Sequence, residues 1–179
     1  MLKVVVIGSE CTGKTTLARE LAEWLGAPRS EEYARRYVDD KRTPLDASDV
    51  EPIARGQLAA EDEAIVRAGE VVVLDTDLVS TVVYSRHYYG ACPSWVEQAA
   101  RARLGGLYLL LYPDVPWVAD GLQRDRPHLR QQVHEEFRAT LDAWRAPVAH
   151  VRGDWSQRRA TARAAVLAAM KAAGLKPQS

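Results

Sequence analysis

The stretch "VVVIGSECTGKTTLA", residues 4–18, narrows the folds open to this chain more than any other feature. Val4, Val5, Val6 and Ile7 are β-branched and unbroken by polar residues, the pattern of a parallel strand buried on both faces. Gly8–Thr15 then follow the spacing G-x-x-x-x-G-K-[ST], and a helical pattern begins at Lys14. Strand, glycine-rich turn and helix in that order form the opening unit of a layered α/β protein.

The residue types in this turn suit one ligand chemistry. Gly8 and Gly13 let the backbone curl so that successive N–H groups face phosphate oxygens. Lys14 places a point charge near the β- and γ-phosphates, and the Thr15 hydroxyl can ligate Mg²⁺. The helix start adds its positive dipole end. Gly8, Glu10, Cys11, Thr12, Gly13, Lys14, Thr15 and Thr16 are therefore expected to bind ATP, with Mg²⁺ held at Thr15.

Composition closes several alternatives. Basic and acidic residues balance at 24 each, so total charge gives no reason to expect nucleic acid or an anionic membrane as partner. Apolar runs such as Leu107–Tyr112 fall far below the roughly 20 residues of a membrane span. With residue 2 already in the first strand, no signal peptide is expected. Of the two cysteines, Cys11 lies within the phosphate loop, against a structural disulfide. A cytoplasmic protein is expected. The chain contains no asparagine, so it lacks the Asn-Lys-x-Asp motif by which GTPases read guanine. His87, His128, His134 and His150 lack metal-ligand spacing.

Five apolar runs, at 2–7, 27–31, 71–75, 107–112 and 147–151, alternate with helical patterns at 14–25, 49–69, 78–89, 93–104, 115–122, 129–145 and 155–173. The alternation predicts a parallel sheet in a single α/β domain over 1–174, followed by a polar tail at 175–179. Asp49 with Pro52 reads as a helix start and Gly69 as its stop.

Ligands of open α/β sheets sit beyond the carboxyl ends of the strands, so the residues just after each strand are the candidates. After the second run, Glu32 is placed to take a proton from an acceptor hydroxyl, with Arg35 and Arg36 following; a solvated charged face is the plain alternative. After the third, Asp75 suits Mg²⁺ and Asp77 suits ribose hydroxyls or a helix N-cap. After the fourth, Arg124, Arg126 and Arg130 suit a lid at about 115–135 that closes on a transferring phosphoryl group, and Trp117 either covers the acceptor or packs beneath that lid. After the fifth, Arg158 or Arg159 is expected beside the adenine.

The stretches "GSECTGKTTLA", "EEYARRYV", "ARGQ", "LDTD" and "PWVADGL" stand in the order and spacing of a known family. From about residue 2 to 160 the chain resembles the ribosylnicotinamide kinase domain of the NadR-type NAD biosynthesis regulators. The resemblance implies a three-layer P-loop NTPase fold with helices on both faces, sheet order 2-3-1-4-5 and a helical lid. It also implies transfer of the ATP γ-phosphate to the 5′-hydroxyl of nicotinamide riboside. On the matching positions, Glu32, Tyr33, Arg35, Asp75 and Asp77 would line the acceptor site and Asp120 would belong to the lid. Glu31 stands where members often carry an aromatic, and Gln123 replaces an arginine that here comes one place later, at Arg124. Lacking a His-x-Gly-His motif, the chain is expected to be the kinase part alone. Two rivals stay open: a kinase for another nucleoside or small alcohol, and an ATP-binding regulatory module.

Overall fold

The computed structural model describes residues 1–116 and 127–176. Five strands, β1 (Leu2–Gly8), β2 (Arg29–Ser30), β3 (Val71–Asp75), β4 (Leu107–Leu111) and β5 (Val148–Val151), form one parallel sheet in the order β2-β3-β1-β4-β5. Seven α-helices accompany them among the described residues: α1 (Lys14–Leu25), α2 (Tyr33–Lys41), α3 (Val50–Val66), α4 (Leu78–Tyr89), α5 (Ser94–Ala102), α6 (Arg130–Ala143) and α7 (Trp155–Ala172).

The sheet is covered on both faces because its central strands are apolar along most of their length, on both sides. Val4, Val6, Val73 and Leu109 pack with Leu17 and Leu21 of α1 and with Val166 and Met170 of α7. Val5, Ile7, Leu74 and Leu110 meet Ala54 of α3, Val79 and Val82 of α4, Val96 of α5, and Val133 and Phe137 of α6 on the other face. Each fully buried aliphatic side chain of this kind contributes about 1.5–3 kcal/mol. In register, Val6 lies opposite Asp75 and Gly8 opposite Leu111. The carboxyl ends of the three central strands thus finish side by side, which gathers the candidate residues.

The structure departs from the sequence reading at three places. α2 was not expected; it has no buried residue, so it shows no apolar stripe to read. The start of α3 is set by Asp46, whose side chain accepts from the amide of Ser48 while Asp49 accepts from the amide of Asp46, closing a capping box on a 3₁₀ turn at Ala47–Asp49. α3 then ends at Val66, before Gly69. Of the expected lid, Pro127–Leu129 form a 3₁₀ turn leading directly into α6, whose Val133 and His134 are buried.

Beneath the sheet face covered by α3 lies a buried polar group. The Tyr108 hydroxyl donates to Asp77 at 2.6 Å, and Lys3 donates to the carbonyl of Arg103. Glu61 on α3 is 1% exposed, with Oε2 3.6 Å from Arg103 and no hydrogen-bond partner for Oε1 among the described residues. Burial, aided by the charge of Asp77, raises its pKa from 4.5 to about 8 against the opposing pull of Arg103 and Lys3.

A carboxyl whose native pKa lies above its unfolded value holds a proton that unfolding releases, so stability is greatest at low pH and falls as pH rises through about 8. Asp77, raised to about 6, adds to the slope only below that pH. Urea unfolding between pH 6 and 9 is therefore expected to show a loss on the order of a few kcal/mol in the native protein and a much flatter profile in Glu61→Gln. Equal slopes in the two proteins would mean that Glu61 is ionised when folded.

Candidate active site

The phosphate loop joins β1 to α1. Gly8 has φ +148, and a Cβ there would lie 2.8 Å from the Leu111 carbonyl oxygen on β4, so glycine alone lets the two strands close. Gly13 has φ +84, and its Cβ would lie 2.5 Å from the Trp155 indole. The Thr12 hydroxyl and the Lys14 ammonium both donate to the Ser9 carbonyl, at 2.8 and 3.1 Å, which folds the lysine back along its own loop. Gly13 caps α1 without a side-chain hydrogen bond, and no acid stands in the first turn. The helix's first amides are thereby left to an anion.

Thr15 and Asp75 meet at the mouth of this loop. Asp75 is 1% exposed and lies 3.9 Å from Arg29, and the neighbouring Thr15 hydroxyl favours its ionised form. Oδ1 has no hydrogen-bond partner among the described residues. Burial, reinforced by the nearby charge of Glu32, raises the Asp75 pKa to about 6. A hydroxyl beside a carboxylate with an open oxygen is a set of hard donors, which suits Mg²⁺. Among the described residues no group of three or more His, Cys, Asp or Glu can hold a metal. A cation at Thr15 and Asp75 would therefore complete its shell with water and phosphate oxygens, as Mg²⁺ commonly does.

A cleft of about 280 Å³ opens beside the loop, between α2, α3 and α4. Glu10, Cys11, Lys14 and Glu32 line it on the phosphate-loop side, and Arg35 lines it from α2. α4 supplies Tyr84, Tyr88 and Tyr89; the rings of Tyr84 and Tyr88 stack with centroids 6.1 Å apart and planes 9° apart. Glu10, Glu32 and Asp39 are among its acidic lining residues beside Lys14 and Arg35, while the Asp46 and Asp49 carboxylates, also at its edge, are engaged by the capping box and Lys41. Gln57 braces the floor, accepting from the Tyr33 amide at 3.1 Å and donating to the Thr76 carbonyl at 3.4 Å.

Several expected site residues stand elsewhere. The Tyr33 ring packs on α3, where a Cβ on Gly56 would come within 2.1 Å of it, so Tyr33 pins α2 to α3 instead of lining the cleft. Asp77 points inward: its carboxylate accepts from the Val79 amide at 2.9 Å and from the Tyr108 hydroxyl, which makes it the N-cap of α4, and it is not among the residues lining the cleft. Arg158, expected beside the adenine, is fully buried and bonds the carbonyls of Thr12, Tyr112 and Gly153 together with the Asp114 carboxylate. Arg159 turns to α1, where it forks onto Glu20 at 2.7 and 3.2 Å. Thr16 sits on the first turn of α1, as the loop spacing requires. Trp117, Asp120, Arg124 and Arg126 lie outside the described residues. The tyrosines of α4 went unread in the sequence, although two tyrosines four residues apart on the helix that follows a strand's carboxyl end are a usable signal.

The family of AAA domains matches residues 3–158. The chain belongs to that family. Over 124 residues this AAA domain is 34% identical to the trifunctional NAD biosynthesis/regulator protein NadR of Escherichia coli (strain K12), and likewise to its counterpart from Salmonella typhimurium. Each match covers 67% of this chain and 30% of the relative, so the chain spans under a third of the curated relatives it matches. The crystal structure of NadR protein in complex with NR aligns over 99% of this chain and 53% of its own, with 27% identity and a TM-score of 0.78. NadR in complex with NAD and AMP-PNP gives 26% identity, a TM-score of 0.75 and coverage of 99% and 51%. Thymidylate kinase from Ehrlichia chaffeensis, at 14% identity and a TM-score of 0.64 over 93% of this chain and 97% of its own, shares the fold. The AAA domain thus has the P-loop kinase fold that its first strand and loop imply.

Asp75→Asn in this AAA domain keeps the size of the side chain and removes its charge. The Mg²⁺ concentration needed for half-maximal turnover is expected to rise about 10- to 100-fold, with metal-free nucleotide binding little changed. A Mg²⁺ titration that superposes on wild type would remove Asp75 from the metal site.

Proposed function

We propose that this AAA domain transfers the γ-phosphate of ATP to the 5′-hydroxyl of nicotinamide riboside, forming nicotinamide mononucleotide. The observation that carries the reading is the cleft beside Lys14: acidic along its lining and walled by tyrosine rings. Nicotinamide riboside presents a flat ring with a fixed positive charge. Stacked tyrosine faces attract such a cation through their quadrupoles, and surrounding carboxylates add Coulombic attraction. The likeness to NadR, which one crystal structure holds in complex with NR, supports the same substrate.

In this scheme the phosphate loop and the start of α1 hold the triphosphate through backbone amides. Lys14 leaves the Ser9 carbonyl to neutralise charge on the transferring group. Thr15 and Asp75 would hold Mg²⁺, which would supply positive charge to offset the charge that develops on the transferring group. Glu32 lines the cleft next to Lys14 and orients the acceptor hydroxyl or takes its proton. Asp75 can share that duty only when metal-free, since its open oxygen is the one a cation would use. A reaction that draws on cellular ATP belongs in the cytoplasm, the compartment we propose for it.

A second reading, a kinase for another nucleoside, draws on Glu31. That side chain is exposed and pairs with Arg29 at 3.5 Å, so no aromatic covers the cleft from β2. The acceptor ring then has the tyrosines of α4 as its aromatic support among the described residues.

ADP release measured across a panel of nucleosides separates these readings. Wild type is expected to respond most to nicotinamide riboside, and Glu32→Gln to bind ATP normally yet lose much of that response. General bases typically contribute about 10²- to 10⁴-fold, with the lower end expected for a loose phosphoryl transfer. Stimulation by a different nucleoside would keep the kinase and replace the substrate. Indifference to every acceptor would return the domain to the regulatory class.

A further inference from the structure

We infer that Arg130 and Arg158 are positioning residues for the phosphoryl donor, which aim the phosphate loop's amides by holding its carbonyls from behind. Arg130, the first residue of α6, is 6% exposed and donates to the Cys11 carbonyl at 3.2 Å and to the Val115 carbonyl at 3.1 Å. Arg158, on the first turn of α7, is 0% exposed and donates to the Thr12 carbonyl at 3.0 Å. Two guanidinium groups from two helices thus hold two consecutive carbonyls of one loop.

Peptide geometry converts that grip into amide direction. No cis peptide bond occurs among the described residues. In a trans peptide the N–H points opposite to the C=O of the same plane. Fixing the Cys11 carbonyl toward α6 turns the Thr12 amide away from α6; fixing the Thr12 carbonyl toward α7 does the same for the Gly13 amide. No backbone carbonyl of the described residues accepts from either amide. They are directed into the hollow of the loop, where the phosphates of a nucleotide are bound.

The choice of residue argues for geometry over stability. A buried guanidinium bears a desolvation penalty that packed apolar side chains avoid, so an arginine interior to the fold is a poor stabiliser in its own right. Its planar fork can, however, hold several acceptors at fixed angles, which an ammonium cannot. Arg158 uses that property fully: beyond Thr12 it bonds Tyr112 at 2.9 Å, Gly153 at 2.8 Å and the Asp114 carboxylate, which also accepts from the Gly153 amide at 2.7 Å. The ends of β4 and β5 are thereby tied to the phosphate loop. Cys11 needs such a hold, because its φ of +53 lies in the left-handed region that a non-glycine residue seldom adopts.

The inference rests on the phosphate loop binding nucleotide and not on which acceptor fills the cleft. It is tested on the full chain by calorimetric titration with AMP-PNP and with inorganic pyrophosphate, alongside thermal melting without ligand and the acceptor KM. Arg130→Met is expected to weaken both phosphate ligands about tenfold, the scale of one lost charged hydrogen bond. Arg130→Lys should recover part of that loss, since an ammonium reaches one carbonyl. The acceptor KM and the ligand-free melting temperature should stay near wild type. Arg158→Lys should show the same split, and should it fail to fold, the Arg130 pair still decides. Wild-type affinity for pyrophosphate and AMP-PNP in folded Arg130→Met overturns the inference. So does a loss of melting temperature with no loss of phosphate affinity. A wild-type protein that binds neither ligand would instead overturn the phosphate-loop reading itself.

Discussion

The first turn of α1 begins with amides that its own backbone cannot satisfy, and no side chain caps them. Everything near the candidate site serves to keep those donors aimed at one place. β1 delivers the chain to that spot from the middle of the sheet, and Gly8 lets β1 and β4 approach until a single added carbon would strike the Leu111 carbonyl. The loop's carbonyls are drawn outward by Arg130 and Arg158, so that its amides are left inward. An uncapped helix start is destabilising unless an anion or solvent completes it; here the fold leaves the gap and builds a phosphate site around it.

From that arrangement the division of labour follows. The cleft lies on the side of β2 and β3, walled by α2, α3 and α4, while the β4 and β5 ends carry the arginine ties and the Trp155 indole. Asp75 stands between, at the end of β3, with its pKa raised to about 6 by burial and by Glu32. Asp75 and Glu32 repel one another, and Lys14 and Arg29 offset that repulsion only in part. A divalent cation there would reduce it further, which is the behaviour expected of a site shaped for its bound state.

Sequence legibility followed the physics of each element. The phosphate loop and the central strands could be read because parallel strands buried on both faces form nearly unbroken apolar runs, and because the loop's glycines have no substitutes. α1 and α4 were read with their observed bounds for similar reasons. α2 could not be: it buries nothing fully, so it carries no periodic stripe. β2 is only two residues long. Asp77 and Asp75 look alike in "LDTD", yet the Tyr108 hydroxyl, thirty-one residues later in sequence, claims Asp77 for the interior. Arg158 and Arg159 are neighbours, and only the packing of α7 sends one inward to the loop and the other onto Glu20. Such partners are far apart along the chain, which is why a local reading set one or the other arginine beside the adenine.

The central claim is that the site moves a phosphoryl group onto a nucleoside. The most direct measurement is the fate of label from [γ-³²P]ATP incubated with the protein, Mg²⁺ and nicotinamide riboside, with the product identified by mass. The expected result is label in nicotinamide mononucleotide, one ADP formed for each, and loss of both in Lys14→Ala. Label found only in orthophosphate, with the riboside intact, would contradict it.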